Sequence, residues 1–351
     1  MRRHQGELLG VVLDRLEGVP RPLPSWSLDE VALAGLATGL TALLAELTEH
    51  DRLPDEVRHH LDEQSGQVAA RVARFRELVP RVADALAEAQ VPAVFVKGAA
   101  LLEGVWLRPL ARPMADVDVV VPSHLRAQAG AALERIGCRW WSSTSYEDAY
   151  LAWGDGGAGR RDGESAAHNG RVEVHPGWCE HLHGYDADGF DVVAAATADG
   201  RRLRLDLAPL TAQALGHLGA CVVRGEVRAV NVVDVWWCHR AGVEWARVGQ
   251  WLDRADPRLS APAVWLVDRV RPGLVPSEVV GAQLDRLPRA AVRSLASLDP
   301  DAAWRDPAAR TTIGWRQSFA QGGRERARVM DQAVWAGGPR SPATLLGRVR
   351  R

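Results

Sequence analysis

The sequence predicts an α+β fold, a small mixed β-sheet core with helical N-terminal and C-terminal regions. Apolar residues recur at helical spacing before residue 90 and again after residue 211. Between them lie short runs rich in β-formers, at Ala93–Val96, Asp116–Val121 and Arg171–His175. The chain has 351 residues, 47% apolar and 25% charged, ordinary values for a globular protein with room for more than one packed unit. The expected organisation is a helical region over 1–90, the sheet-bearing core over 91–210, a helical region over 211–310 and an Arg-rich tail over 311–351.

Taken in order, Leu33 to Leu47 has a leucine periodicity that predicts a helix, with Ser27-Leu28-Asp29-Glu30 as its capping start. Val72, Phe75, Val79, Val82 and Leu86 recur every three or four residues and mark one face of a second helix, which Pro80 should kink or divide. Val91-Pro92 changes the pattern. Ala93–Val96 reads as a strand, Lys97-Gly98 as a glycine turn, and Ala99–Trp106 as a helix. Asp116–Val121 is a strand closed by Pro122, and Ala127–Ile136 a helix stopped by Gly137. Arg139–Tyr146 and Leu203–Leu207 read as further strands, and Gly154–Gly159 as a flexible connection. Helical spacing resumes at Thr211 and runs through Leu215, Leu218 and Val222 to Val230–Trp237. The tryptophans of this half, Trp236, Trp237, Trp245, Trp251 and Trp265, read as packing residues rather than a base-stacking platform.

Composition excludes several functions. Forty-three basic against 44 acidic side chains leave a net charge of -1, which argues against a general polyanion binder. Four scattered cysteines with no CxxC pair fit neither a zinc ribbon nor a disulfide framework. No window offers the roughly 18 uninterrupted apolar residues of a membrane helix, and Met1–Gly10 lacks a signal-peptide core, so a cytoplasmic protein without a membrane partner is expected. Nine arginines between Arg310 and Arg351 read as a solvated tail.

Asp116 and Asp118 alternate onto one face of their strand, roughly 6.5–7 Å apart at Cα, where two carboxylates can jointly hold Mg²⁺ or Mn²⁺. Glu173 and His175 share a face of the Arg171–His175 strand, so Glu173 is the candidate third carboxylate if the strands are neighbours. Such a cluster without its metal is mutually repulsive, and neutralising Asp118 should then cost little stability. Lys97 is the single lysine beside 42 arginines, which marks a place where a compact ammonium suits and a planar guanidinium does not. Arg112 is a candidate phosphate contact. His168, His175, Cys179, His181 and His183 lack the paired spacing of zinc ligands.

Val96-Lys97-Gly98-Ala99-Ala100-Leu101, then Arg112-Pro113-Met114-Ala115-Asp116-Val117-Asp118, then Val172-Glu173-Val174-His175 resembles a bacterial nucleotidyltransferase family of the DNA polymerase β-like superfamily. His217 and Asn231–Asp234 resemble that family's helical C-terminal part. The resemblance implies catalytic and metal-binding roles for Asp116, Asp118 and Glu173, and nucleotide binding by Lys97, Gly98 and Arg112. It implies an NTP as substrate and transfer of a nucleoside monophosphate, with release of pyrophosphate, to a small molecule, peptide, protein or RNA end. Ala99 stands where the superfamily's Gly-Ser turn has a hydroxyl. Backbone amides at a helix start bind phosphate without one, and Lys97 supplies added attraction. The competing expectation is a catalytically weak or inactive nucleotide-binding protein that keeps the fold.

Overall fold

The computed structural model describes residues 4–23, 27, 30, 35, 39–48, 53–144, 146–152, 170–177, 191–199, 202–224, 227–298 and 319. The Gly154–Gly159 connection, His168, Cys179, His181, His183 and, apart from Phe319, the tail lie outside them.

The fold is α+β, with a mixed seven-stranded sheet among the described residues. Its strands are β1 (Val94–Val96), β2 (Asp116–Val121), β3 (Arg139–Ser143), β4 (Asp148–Leu151), β5 (Arg171–Pro176), β6 (Thr197–Asp199) and β7 (Arg202–Arg204), in the order β3-β4-β5-β2-β1-β7-β6. β1 runs antiparallel to β2, whereas β2 and β5 run parallel. The predicted Arg139–Tyr146 strand turns out to be the first arm of the β3-β4 hairpin. The Leu203–Leu207 strand is shorter and earlier than expected, because Leu207 already starts a helix.

Alternation along β2 divides the interior in two. Val117, Val119 and Val121 join Phe95, Val172 and Val174 in one core. Against that face pack Phe75, Leu78, Val82 and Leu86 of a long helix, and Ala129 and Leu133 of the helix Arg126–Arg135. The other face carries Val94, Val96 and Val120 into a larger core shared with N-terminal and C-terminal helices. Asp116 and Asp118 are in phase with Val120 and so belong to this second face.

In chain order the helices are α1 (His4–Leu16), α2 (Thr41–Leu47), α3 (Asp55–Glu88), α4 (Lys97–Gly104), α5 (Arg126–Arg135), α6 (Val192–Ala195), α7 (Leu207–Arg224), α8 (Ala229–Arg240), α9 (Trp245–Leu252), α10 (Pro257–Val270), α11 (Ser277–Asp285) and α12 (Arg289–Ser297). Two expectations are corrected here. Of the kink or division expected at Pro80, division does not occur: α3 is continuous across it, since the face formed by Phe75, Val79, Val82 and Leu86 is buried on both sides of the lost hydrogen bond. The leucine run Leu33–Leu47 is not one helix either. Gly39, at φ 70°, donates its amide to the Gly35 carbonyl and interrupts the run, and α2 starts after it.

α7 and α10 cross almost backbone to backbone, because a Cβ on Gly219 would lie 1.7 Å from the Leu259 carbonyl oxygen. A helix backbone cannot yield that distance locally. Gly219→Ala is therefore expected to cost at least about 1–3 kcal/mol by forcing the helices apart. An unchanged melting temperature in that variant would contradict the close crossing.

Candidate active site

The strand-to-helix junction β1-α4 builds one wall of the site. Val96 is extended, and the next residue, Lys97, takes φ 50° and already begins α4. The left-handed residue is thus the lysine, not the glycine expected to form the turn. A non-glycine residue held there costs on the order of 1–3 kcal/mol and persists only when its surroundings impose it. Here the Lys97 amide donates to the Gln213 side-chain oxygen of α7 at 3.2 Å. Gly98 is required for another reason, since a Cβ there would come within 2.6 Å of Arg112 Nη1.

The carboxylates come from β2 and β5. Asp118 pairs in register with Val96 of β1 on one side and Glu173 of β5 on the other, while Asp116 pairs with Arg171. Parallel strands in register put side chains of paired residues on the same face, so Asp116, Asp118, Glu173 and His175 converge. Asp118, Glu173 and His175 are buried, and their ligand atoms all lie within 4.8 Å of one another.

Basic groups already occupy this cluster. Lys97 Nζ donates to Asp118 Oδ1 at 2.7 Å, and His175 Nε2 lies 3.0 Å from the same oxygen. Arg171 Nη2 bridges Asp116 Oδ2 at 2.8 Å and Glu173 Oε1 at 2.6 Å. Among the described residues His175 Nδ1 is buried with no hydrogen-bond partner, so the hydrogen bonding favours the tautomer whose proton is on Nε2. In that form His175 orients Asp118 rather than offering a lone pair.

The two buried carboxyls respond in opposite directions. Burial by itself raises Asp118, but the Lys97 ammonium and the His175 hydrogen bond outweigh it and hold the group well below the usual carboxylate range. Glu173 is pushed up to about 9 by burial and by the charges of Asp118 and Asp116, which Lys97 and Arg171 only partly offset. Between the ordinary value of 4.5 and about 9 the folded chain keeps a proton on Glu173 that the unfolded chain has released, so stability falls as pH rises through that window. Glu173→Gln cannot ionise. Without divalent metal it should flatten that fall and melt higher than the parent at pH 8, whereas parallel melting profiles from pH 5 to 9 would refute the assignment.

Arg112 is not a free phosphate contact. Its Nε and Nη2 donate to Asp234 Oδ1 and Oδ2 of α8 at 2.8 and 2.7 Å, Trp106 Nε1 adds 2.9 Å to Oδ1, and the whole group is buried. What Arg112 brings to the site is charge, felt by Asp116 and Asp118, and a surface against which Gly98 packs. The remaining Arg112 nitrogen, Nη1, donates to the Pro113 carbonyl at 3.3 Å. Sequence reasoning named neither Arg171 nor Gln213 for the site. Arg171 was accessible from alternation, two residues before Glu173 on its strand, while nothing local signals Gln213.

The donor set fits a divalent cation. Asp118 and Glu173 place hard oxygens of the kind such an ion prefers within ligand reach of each other and of His175, with Asp116 on the same face of the sheet.

A mixed sheet with three acidic side chains gathered beside a strand-to-helix junction is the arrangement expected of a nucleotidyltransferase. The chain belongs to the family described as "Uncharacterised nucleotidyltransferase", which its residues 28–244 match. No curated protein matches. Among solved structures, the solution structure of the antibiotic-resistance factor ANT(2'')-Ia aligns at 14% identity with a TM-score of 0.35, covering 52% of this chain and 90% of that one. The crystal structure of JHP933 from Helicobacter pylori aligns at 11% identity with a TM-score of 0.33, covering 75% and 97%.

Proposed function

We propose that the protein transfers a nucleoside monophosphate from an NTP to an acceptor hydroxyl or phosphate and releases pyrophosphate. The observation that carries this reading is the in-register pairing of Asp118 with Glu173, which gathers both with Asp116 beside Lys97. Asp116, Asp118 and Glu173 would hold Mg²⁺ or Mn²⁺. When bound, such an ion neutralises charge on the phosphates and favours the ionised acceptor.

The remaining work falls to the chain. Backbone amides at the start of α4, with Lys97, receive the triphosphate. An acceptor oxygen attacks the α-phosphorus, the bond from that phosphorus to the bridging oxygen of the β-phosphate breaks, and pyrophosphate leaves with the electron pair. As the new bond forms, the acceptor's proton passes to water, since a Glu173 that holds the metal ion is ionised and engaged there. His175 keeps Asp118 oriented throughout. Acceptor classes remain a small molecule, a peptide, a protein or an RNA end. The cytoplasm is the proposed compartment, and no described helix is long and apolar enough to cross a membrane.

A second reading, nucleotide binding without catalysis, is favoured by one observation. Ala99 is buried and offers no hydroxyl to the phosphates. Titration calorimetry with each NTP and Mg²⁺, on the parent and on Asp116→Ala with Asp118→Ala, combined with pyrophosphate release, separates the two. Metal-dependent binding with release supports transfer, and binding without release across candidate acceptors supports the second reading. Absence of metal-dependent NTP binding in the parent removes both.

A further inference from the structure

We propose that the β3 edge of the sheet, through Trp140 and Trp141, holds a single-stranded RNA whose 3′-hydroxyl is the acceptor. This rests on the nucleotidyl-transfer reading and names its acceptor class.

The direction of attack gives the side from which the acceptor comes. In an in-line displacement the attacking oxygen enters opposite the leaving pyrophosphate. The triphosphate end of the site is the start of α4, directly after β1, and the carboxylates stand on β2 and β5. In the strand order β3-β4-β5-β2-β1 the acceptor therefore enters from the β4-β3 side. β3 lies two strands beyond β5, roughly 10 Å at the usual strand spacing.

That side of the sheet ends in two indoles. Trp140 and Trp141 are 53% and 51% exposed, whereas the other described tryptophans are buried or half-buried. Adjacent large apolar groups turned to water mark a surface that meets something else. β3 pairs with β4 alone, but its register shifts between Trp140 and Ser142 and makes Trp141 an extra residue. Such a bulge bends and interrupts the edge, which disfavours the addition of a strand from another protein chain. Stacking of a nucleobase on an indole needs no backbone pairing, so the bulge does not oppose it.

The edge is also held in place and locally basic. Arg126 of α5 donates to both Asp148 carboxylate oxygens, to the Thr144 carbonyl at 2.7 Å and to the Ser143 hydroxyl at 3.3 Å, which clamps the β3-β4 hairpin and neutralises its acid. Around the link from α5 to β3 stand the exposed Arg135 and Arg139, with Arg81 donating to the Ile136 carbonyl at 3.1 Å, against Glu134. Aromatic faces beside a local excess of arginine suit a single strand, and the net charge of -1 argues against binding by charge alone. Unpaired RNA bases are commonly recognised by stacking on aromatic side chains. A strand stacked on the indoles extends its 3′ end toward Glu173. There the 3′-hydroxyl oxygen bonds to the α-phosphorus, pyrophosphate leaves with the electron pair of the broken bond, and the hydroxyl proton passes to water.

Fluorescence anisotropy of an unstructured, 5′-labelled RNA of about ten nucleotides, within the usual range of single-strand site sizes, tests the surface on the full chain. The variants are Trp140→Ala with Trp141→Ala, Trp140→Phe with Trp141→Phe, and Arg139→Ala, all expected to bind Mn²⁺ with a non-hydrolysable ATP analogue as the parent does. The alanine pair should weaken RNA binding roughly tenfold or more, while the phenylalanine pair, which keeps two stacking rings, retains most of it. Arg139→Ala should reduce the slope of log affinity against log salt by about 0.7, the share of one phosphate contact. RNA binding that is equal in the parent and the alanine pair, or absent from the parent, overturns the proposal. Self-association of the parent that the alanine pair abolishes, without RNA binding, overturns it in favour of a second copy of this chain. Incubation with α-labelled NTPs and Mg²⁺ then separates acceptor from reaction. Labelled RNA lengthened by a nucleotide in the parent and not in the alanine pair supports the assignment. Bound RNA that stays unlabelled while pyrophosphate is released overturns RNA as acceptor and leaves nucleotidyl transfer standing. Bound RNA with no pyrophosphate released from any NTP removes nucleotidyl transfer, and the acceptor assignment with it.

Discussion

Asp234→Ala is expected to destabilise the protein by about 3–5 kcal/mol, because it strands the buried Arg112 guanidinium without its counter-charge. Both Asp234 oxygens are engaged, Oδ1 by Arg112 Nε and Trp106 Nε1, Oδ2 by Arg112 Nη2. The truncation leaves a forked cation and an indole N–H together in a buried site. Asp116 and Asp118 attract Arg112 as well, but they already serve Arg171 and Lys97. Replacing the whole pair, Arg112→Met with Asp234→Leu, should recover most of the loss, since the charge that needed a partner is gone. Denaturant midpoints of the single and double variants provide the check. A single variant within about 1 kcal/mol of the parent would be typical of an exposed pair, not a buried one. The consequence reaches the site, because Gly98 packs directly on Arg112. Asp234→Ala should therefore also weaken NTP binding in the fraction that remains folded.

Asp118→Asn is expected to lower NTP turnover per folded molecule by on the order of a thousandfold or more, comparable to removing a group aimed at developing charge. Its cost in stability follows from the structure rather than from carboxylate repulsion alone. Reading the sequence, three like charges suggest that neutralising one would be harmless. Lys97 and His175 change that balance by holding Asp118 ionised, a contribution present above the ordinary carboxylate pKa and lost as the pH falls through the lowered one. The asparagine oxygen still accepts from Lys97, and Glu173 is relieved of a neighbouring charge, so the net loss at neutral pH should stay within about 1–3 kcal/mol, the range of a single charged hydrogen bond. Full turnover with a collapsed melting temperature would make Asp118 a structural residue and sink the catalytic assignment.

Much of the site was legible one strand at a time. The alternation Asp116-Val117-Asp118 and Val172-Glu173-Val174-His175 states which side chains share a face, because a strand's period of two is a local property of the backbone. The solitary lysine could likewise be singled out by counting. The strand runs at 94–96, 116–121 and 171–175, and the helical stretches from 211 to 222 and from 230 to 237, also follow from local pattern and propensity. Pattern failed where packing outweighed it, as at Pro80, or where a single backbone conformation decided the outcome, as at Gly39 and Lys97.

Tertiary structure alone decided which pieces meet. Asp118 faces Glu173 because β2 and β5 are neighbours, parallel and in register, and a shift of one residue would have sent Glu173 into the opposite core. Asp234, 122 residues away, holds Arg112 through Nε and Nη2, a pairing that no local pattern signals. The same holds for Lys97, whose ammonium could point to solvent, to phosphate or to a carboxylate by sequence alone. Its choice of Asp118 depends on burial, which removes competing water and makes the nearest opposite charge the strongest available partner. Local periodicity thus determined the composition of each face of each strand. The pairing of charges across faces was settled by long-range packing, since the energy of an ion pair depends on surroundings that no stretch of sequence contains.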